Sequence, residues 1–418
     1  MAHFKQGIHV GLVLSTLLLC TLLLYSYHAY LKLPVSNFQM RGASSKLVQS
    51  MHDIAKAKLR DTDNRNQTNT ISSDEIAEEH HCTPRRNIVF FKMHKCSSST
   101  VQNILFRYGE EHKLDFVLPK EGNYLGNGQY LFVRSLMMKF PVKKYNVLCH
   151  HTRFNYRGMA EVMHSDAVYT TIIRDPISMF ESLFTYGNFA LAYNLPEDKA
   201  LELFLEKPEY YYAIAHTAGK LRVRNPMLYD LGLEDRSLGD PLRIKRKIHQ
   251  MEYQFDLVMI TEYFDESLIL LRDLFCWEMD DIVYFVLNAR NKSSVRAVSP
   301  KTADNIRRWN FGDVQLYDAF NRTFWKKVEA FGHDRMQREV AELRKRKAYF
   351  KEHCIADVVS GDEGVWRPPG IDIDSFKLKP EASKNKTCVR MIQTELPYSD
   401  HIRKIQVQRY FKSANQRD

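Results

Sequence analysis

Asn87-Ile-Val-Phe-Phe-Lys-Met-His-Lys-Cys-Ser-Ser-Ser-Thr100 joins an apolar run to a cationic, hydroxyl-rich turn, and the fold follows from how those halves meet. The β-branched and aromatic half predicts a buried parallel strand over Ile88–Phe91. Behind the turn, Ser99–Arg107 predicts a helix with Val101, Ile104 and Leu105 on one face. A strand, turn and helix in that order aim free backbone N–H groups and the positive end of the helix dipole at one point. Lys92, Lys95 and the hydroxyls of Ser97, Ser98, Ser99 and Thr100 gather at the same point, so the turn reads as a phosphate cradle. It contains no glycine and is therefore not the G-x-x-x-x-G-K-[ST] loop.

Two further segments repeat this logic at strand ends. A strand over Val168–Ile173 runs into Arg174-Asp-Pro-Ile-Ser-Met-Phe-Glu-Ser-Leu-Phe184, where Pro176 suits the first helical turn and Arg174 and Ser182 can reach one phosphate. A guanidinium suits that task because it binds a phosphate through two parallel hydrogen bonds and stays charged. A strand over Tyr145–Cys149 ends in His150-His151-Thr-Arg-Phe154, which sets imidazoles at the edge where α/β proteins bind ligands. A neutral imidazole takes the proton of an attacking hydroxyl near pH ~6–7.

The loop Lys92–Thr100 resembles the 5′-phosphosulfate loop of Golgi sulfotransferases, in particular the galactose 3-O-sulfotransferase family, which reads K-T-H-K-T-A-S-S-T. Lys92, His94, Lys95, Ser98, Ser99 and Thr100 match; Met93, Cys96 and Ser97 stand where the family has Thr, Thr and Ala. Arg174-Asp-Pro with Ser182 resembles the 3′-phosphate motif, and Cys149–Phe154 resembles C-N-H-M-R-F, with His150 replacing the asparagine. Glu262–Arg272 running into Cys276-Trp-Glu, and Leu287-Asn-Ala-Arg290, are also similar, and the resemblance spans Cys82 to Cys388. Cys82–Phe90 and Phe324–Gly332 look most like the galactosylceramide-directed branch.

The resemblance implies an α/β, P-loop-like sulfotransferase fold with a central parallel sheet flanked by helices. It implies transfer of a sulfuryl group from 3′-phosphoadenylyl sulfate to the 3-hydroxyl of a terminal galactose. Galactosylceramide is the first acceptor and a glycoprotein galactose the alternative. Lys92 and Lys95 would neutralise the phosphosulfate and the departing oxygen, and Ser97, Ser98, Ser99, Thr100, Arg174, Ser182 and Arg290 would complete the donor site. His151 would take the acceptor proton with His94 assisting; sequence alone does not separate their roles. In-line transfer needs positioning and charge, so no metal is expected.

The rest of the chain fits a membrane-tethered body. Its 418 residues, 44% hydrophobic and 12% aromatic, can bury a large α/β core. A net charge of +10 suits an anionic ligand or membrane. Nucleic acid is not an expected partner, since no zinc-finger spacing or RNA-recognition signature accompanies the charge. The uncharged run Val10–Tyr27 predicts a transmembrane anchor over residues 10–28, with Tyr25, Tyr27 and Tyr30 as an aromatic belt. Residues 1–9 form the cytoplasmic tail, 29–81 a polar stem, and 82–418 the luminal domain. Sequons at Asn66, Asn291, Asn321 and Asn385 follow the anchor, as in a type II membrane glycoprotein. The resemblance adds the Golgi membrane and is compatible with a homodimer.

Of seven cysteines, Cys20 lies in the anchor, Cys96 and Cys149 are expected as free thiols, and Cys354 with Cys388 as a disulfide. Further expectations are a strand over Phe255–Ile260, helices over Ile177–Tyr186, Phe264–Phe275 and Val314–Arg346, and an irregular tail from Val358 with a helix over Ile392–Phe411. The basic run Arg344–Lys347 reads as a solvated face, and Tyr210, Tyr211 and Tyr212 as a galactose platform or packing. Asp372-Ile-Asp374 fits the D-x-D of a Golgi glycosyltransferase, a competing class, as is a non-catalytic lectin-like protein.

Overall fold

The computed structural model describes residues 82–412, apart from 127, 218–220, 291–294, 296 and 362–370. The expected anchor and stem, Asn66 and Asn291 lie outside the described residues. Among the described residues no helix is long and apolar enough to cross a membrane. Residues His81–Asp418 form one compact unit.

Its centre is a parallel sheet of β1 (Ile88–Phe91), β2 (Val147–Leu148), β3 (Val168–Ile173) and β4 (Leu257–Ile260), in the order β2-β1-β3-β4. Every residue of these strands is buried, which is why they read as continuous apolar runs without alternation. In register, Phe91 faces Thr171 and Thr171 faces Val258. The winding reverses between β1 and β3, and such a switch point opens the crevice in which open α/β sheets bind ligands.

Helices flank this sheet. Ser98–Glu111 buries Val101, Ile104 and Leu105, starting one residue earlier than the periodicity predicts. Pro176–Tyr186 starts on its proline, with the Asp175 carboxylate accepting from Ser178 N at 2.9 Å. Phe264–Phe275 has the expected bounds. The expected helix Val314–Arg346 is two helices, Phe311–Phe331 and His333–Cys354, divided at Gly332, whose φ of 94° suits glycine.

Other expectations shift for local reasons. Tyr145 bridges to Met163, so β2 is confined to Val147–Leu148, and Phe255 caps the helix Pro241–Gln254, so β4 begins at Leu257. The run ending at Leu287–Arg290 buries most of its apolar side chains but joins no strand of the central sheet; Arg290 bridges instead to Ile373. The tail is more regular than expected. There β5 (Ile355–Ser360) pairs antiparallel with β6 (Asp374–Leu378), and the helix Glu395–Val407 follows. This C-terminal segment lies along Ser98–Glu111. Asn103 Nδ2 donates to the carbonyls of Arg390 and Gln393, and Glu110 pairs with Arg390 and accepts from Tyr398.

Cys354 and Cys388 are bonded as expected, and Cys96 and Cys149 are free and buried. A second disulfide, Cys82–Cys276, ties the entry of the body to the end of Phe264–Phe275. Arg85 N donates to Phe275 O at 2.8 Å and Trp277 Nε1 to Arg85 O at 3.1 Å, reinforcing that junction. The basic run is paired: Arg344 and Lys347 both reach Asp265, and Arg346 reaches Asp280.

Candidate active site

A cavity of about 740 Å³ opens at the sheet edge. Lys92, His94, Lys95, Ser97, Ser98, Ser99, His151, Arg174, Ser182 and Arg290 all line it, so residues from four separate segments converge. Thr100 does not. Because the helix begins at Ser98, Thr100 falls on the core side, where its Oγ1 accepts from Leu287 N at 3.1 Å. Met93 and Cys96 are fully buried and do not line the cavity either, so of the three departures from the family loop only Ser97 reaches its surface.

The loop is strained and braced. Lys95 and Ser97 take positive φ values of 57° and 58°, which cost non-glycine residues about 1–3 kcal/mol each. Ser97 precedes the helix without a side-chain cap, so its hydroxyl is not spent on the helix end. Ser98 Oγ donates to Met93 O at 2.5 Å, Cys96 Sγ to His94 O at 3.2 Å, Arg174 to Lys95 O at 3.1 Å and Thr261 Oγ1 to Cys96 O at 3.1 Å. Four successive carbonyls are thereby engaged within the protein, which removes oxygens that would repel an anion.

The cations differ in state. Lys92 Nζ contacts Glu395 Oε2 at 2.9 Å, Ser99 Oγ at 3.0 Å and Ser98 Oγ at 3.5 Å. Arg290 is clamped by Glu181 through two bonds, of 3.0 and 2.5 Å, so its guanidinium is already committed to a carboxylate. Lys95 has no carboxylate contact among the described residues. Its Nζ lies 3.3 Å from the centroid of the Tyr186 ring. Burial, then the charges of Arg290 and Arg174, push the Lys95 ammonium down to about 7.

Two imidazoles stack across the cavity floor. The rings of His94 and His151 lie 4.1 Å apart at 16°, and Tyr124 stacks on His151 at 4.9 Å. The backbone makes this possible: His151 N donates to Asn123 O and Leu125 N to His151 O, so the segment carrying Tyr124 runs beside His151. His151 Nδ1 lies 3.1 Å from Lys92 O. A carbonyl only accepts, so Nδ1 carries the proton and Nε2 the lone pair. Burial, then the charge of Lys92, holds His151 well below its usual range, and it remains neutral.

His94 is held differently. Its Nδ1 meets Asp230 Oδ2 at 2.5 Å and its Nε2 meets the Tyr124 hydroxyl at 3.0 Å. Burial raises the Tyr124 phenol to about 12, so it keeps its proton and donates to Nε2. Burial, then Arg222, lowers His94 against the pull of Asp230. Burial pushes Asp230 up, but His94 and Arg222 outweigh it and hold the carboxyl below its usual value. Arg153 and Phe154 of the third motif position this carboxylate: Arg153 Nε donates to Tyr229 O at 3.0 Å, and Phe154 N to Asp230 O at 2.9 Å.

Asp230, Arg222, Tyr124, Asn123, Glu181 and Glu395 are absent from the sequence reading. None lies in a motif except Glu181, whose place beside Ser182 was the available signal. His150 faces Ser399, Nε2 to Oγ at 2.9 Å, and burial lowers it to about 3. Tyr211 packs on Phe204 and Tyr212 on Trp309, and none of Tyr210–Tyr212 lines the cavity. Asp372 and Asp374 lie at β6, outside the central sheet, and do not line it either. Asn321 sits within a helix with Oδ1 buried, whereas Asn385 is exposed and caps Cys388 N.

Comparison with known proteins agrees with this cavity's chemistry. The family model described as galactose-3-O-sulfotransferase matches residues 2–406. Galactosylceramide sulfotransferase of Mus musculus is 41% identical over 334 residues, covering 76% of this chain and 78% of its own. The Homo sapiens protein of the same name is 38% identical with the same coverage, and galactose-3-O-sulfotransferase 2 of Sus scrofa is 33% identical, covering 76% and 83%. The chain belongs to the galactose-3-O-sulfotransferase family and is a sulfotransferase.

Proposed function

We propose that this protein transfers the sulfuryl group of 3′-phosphoadenylyl sulfate to the 3-hydroxyl of the galactose of galactosylceramide, giving sulfatide. The observation carrying the reading is the tautomer of His151: its Nε2 lone pair has no hydrogen-bond partner among the described residues and borders the cavity beside the anion loop. His94 Nε2, by contrast, is occupied by Tyr124. We therefore assign His151 as the base and His94 as the group that orients Tyr124 and supports the stack.

In this mechanism the galactose 3-oxygen attacks sulfur while His151 Nε2 takes its proton. The bond from sulfur to the donor's bridging oxygen breaks, and adenosine 3′,5′-bisphosphate leaves with that electron pair. Lys92, Lys95, Ser97, Ser98 and Ser99 stabilise the phosphosulfate, with Lys95 nearest the role of a mobile cation. Arg174 and Ser182 hold the 3′-phosphate, and Arg290 acts through its clamp on Glu181. Charge and positioning supply the catalysis, so activity should survive chelation. The galactosylceramide relatives support the acceptor. The reading retains a Golgi type II protein with an anchor over residues 10–28 and a luminal domain over 82–418.

The test offers labelled donor with EDTA to the purified chain, with galactosylceramide and a galactose-terminated glycoprotein together. Label on the lipid, lost in His151→Ala, is the expected result. Label on the glycoprotein alone would reassign the acceptor, and label on neither would reject the transfer.

A further inference from the structure

Glu395 is 303 positions from Lys92 in sequence, yet it opens the C-terminal helix at the cavity wall. Its Oε2 accepts from Lys92 Nζ at 2.9 Å and from Ser99 Oγ at 2.5 Å, and its Oε1 accepts from Asn123 Nδ2. The Asn123 amide is oriented by Gln102, whose Nε2 donates to Asn123 Oδ1 at 3.1 Å. Ser98 and Ser99 take the other hydrogens of the Lys92 ammonium, which is 1% exposed. Lys92 therefore has no N–H left for a ligand. A carboxylate already makes the contacts that the donor reading assigns to an anionic oxygen of the phosphosulfate.

We propose that Glu395 is a positioning residue that stands in for the donor in the unloaded enzyme, holding Lys92 and Ser99 until the 5′-phosphosulfate displaces its carboxylate. This deepens the donor reading and rests on it. The reason is electrostatic. A buried ammonium left without a counter-charge is strongly destabilising, so Lys92 requires an anion in both states. Glu395 provides it when the cavity is empty, and the donor provides it when loaded. Two anions on one ammonium repel each other, so the two compete, and Asn123 keeps a partner for the displaced carboxylate. Donor affinity is thereby set below what the cations alone would give.

The measurement is titration calorimetry of the full-length chain in detergent with adenosine 3′,5′-bisphosphate and with the donor, paired with thermal melts. Glu395→Gln keeps the shape and removes the charge. It should bind both nucleotides about tenfold tighter, the size of one charge-assisted contact. The unloaded variant should melt lower than wild type and gain more on ligand addition. Equal or weaker binding, with the same gain as wild type, would reduce Glu395 to a strut for the helix. Glu395→Asp retains the charge and should bind within twofold of wild type; tenfold tighter binding there would overturn the charge argument. If wild type itself binds neither nucleotide, the donor reading fails instead.

Discussion

The cavity contains two sets of groups with the same chemistry in different states. Lys92, His94 and Arg290 are each held by a carboxylate, from Glu395, Asp230 and Glu181. Lys95, His151 and Arg174 line the same cavity and have no carboxylate contact among the described residues. Each lysine, histidine and arginine in the first set thus has a counterpart in the second. The difference teaches that residue type identifies the groups able to act, and carboxylates delivered from elsewhere decide which remain available. On this view the first set meets a ligand only where its carboxylate gives way, as proposed for Lys92 and Glu395, and the second set meets ligands directly.

The largest expected effect contrasts the histidines. His151→Ala should lower kcat by about 10³-fold, within the range of general base catalysis, while binding donor within twofold of wild type. His94→Ala should cost less in kcat and more in thermal stability, because it leaves the buried Asp230 with Arg222 as its one charged partner among the described residues. The reverse order of kcat losses in steady-state assays would exchange their roles.

A smaller effect concerns Lys95, whose folded pKa of about 7 lies below its ordinary 10.5. Donor binding needs the ammonium. As pH rises through about 7 the unloaded protein loses that proton, and affinity should fall by up to about tenfold per pH unit, with proton uptake on binding at pH ~8. Calorimetry in buffers of different ionisation enthalpy reads the uptake, which Lys95→Arg should abolish. The same shift raises stability with pH between about 7 and 10.5, because there the unfolded chain binds more protons. A pH-independent affinity in wild type would place Lys95 with the held set.

The smallest effect tests the back of the loop. Cys96→Thr should change donor affinity by less than about twofold, since the Sγ is buried and bonded to His94 O, a contact that a hydroxyl can replace. A large gain would mean that position 96 reaches the donor.

The second set was legible in sequence because a strand followed by a turn places consecutive residues at one sheet edge: Lys95 follows β1, Arg174 follows β3 and His151 follows β2. The partners were not legible. Asp230 reaches His94 only because Arg153, Phe154 and buried Asp313 fix the short helix Pro226–Asp230; Asp313 accepts from Met227 N at 2.9 Å and Leu228 N at 3.0 Å. Glu395 required knowing that the C-terminal helix lies along Ser98–Glu111, a packing fact that no local periodicity encodes. The same limit explains Thr100: a one-residue shift in helix start turns a hydroxyl from cavity to core.

The Cys82–Cys276 bond has a mechanical consequence. Cys82 stands just before β1, which carries the strained loop, and Cys276 ends a helix on another part of the sheet. A tug on the preceding chain is therefore passed sideways into that helix, through a covalent link, before it can peel β1 from its neighbours. Force arriving through the chain before Cys82 would leave the loop in register while the load is borne elsewhere.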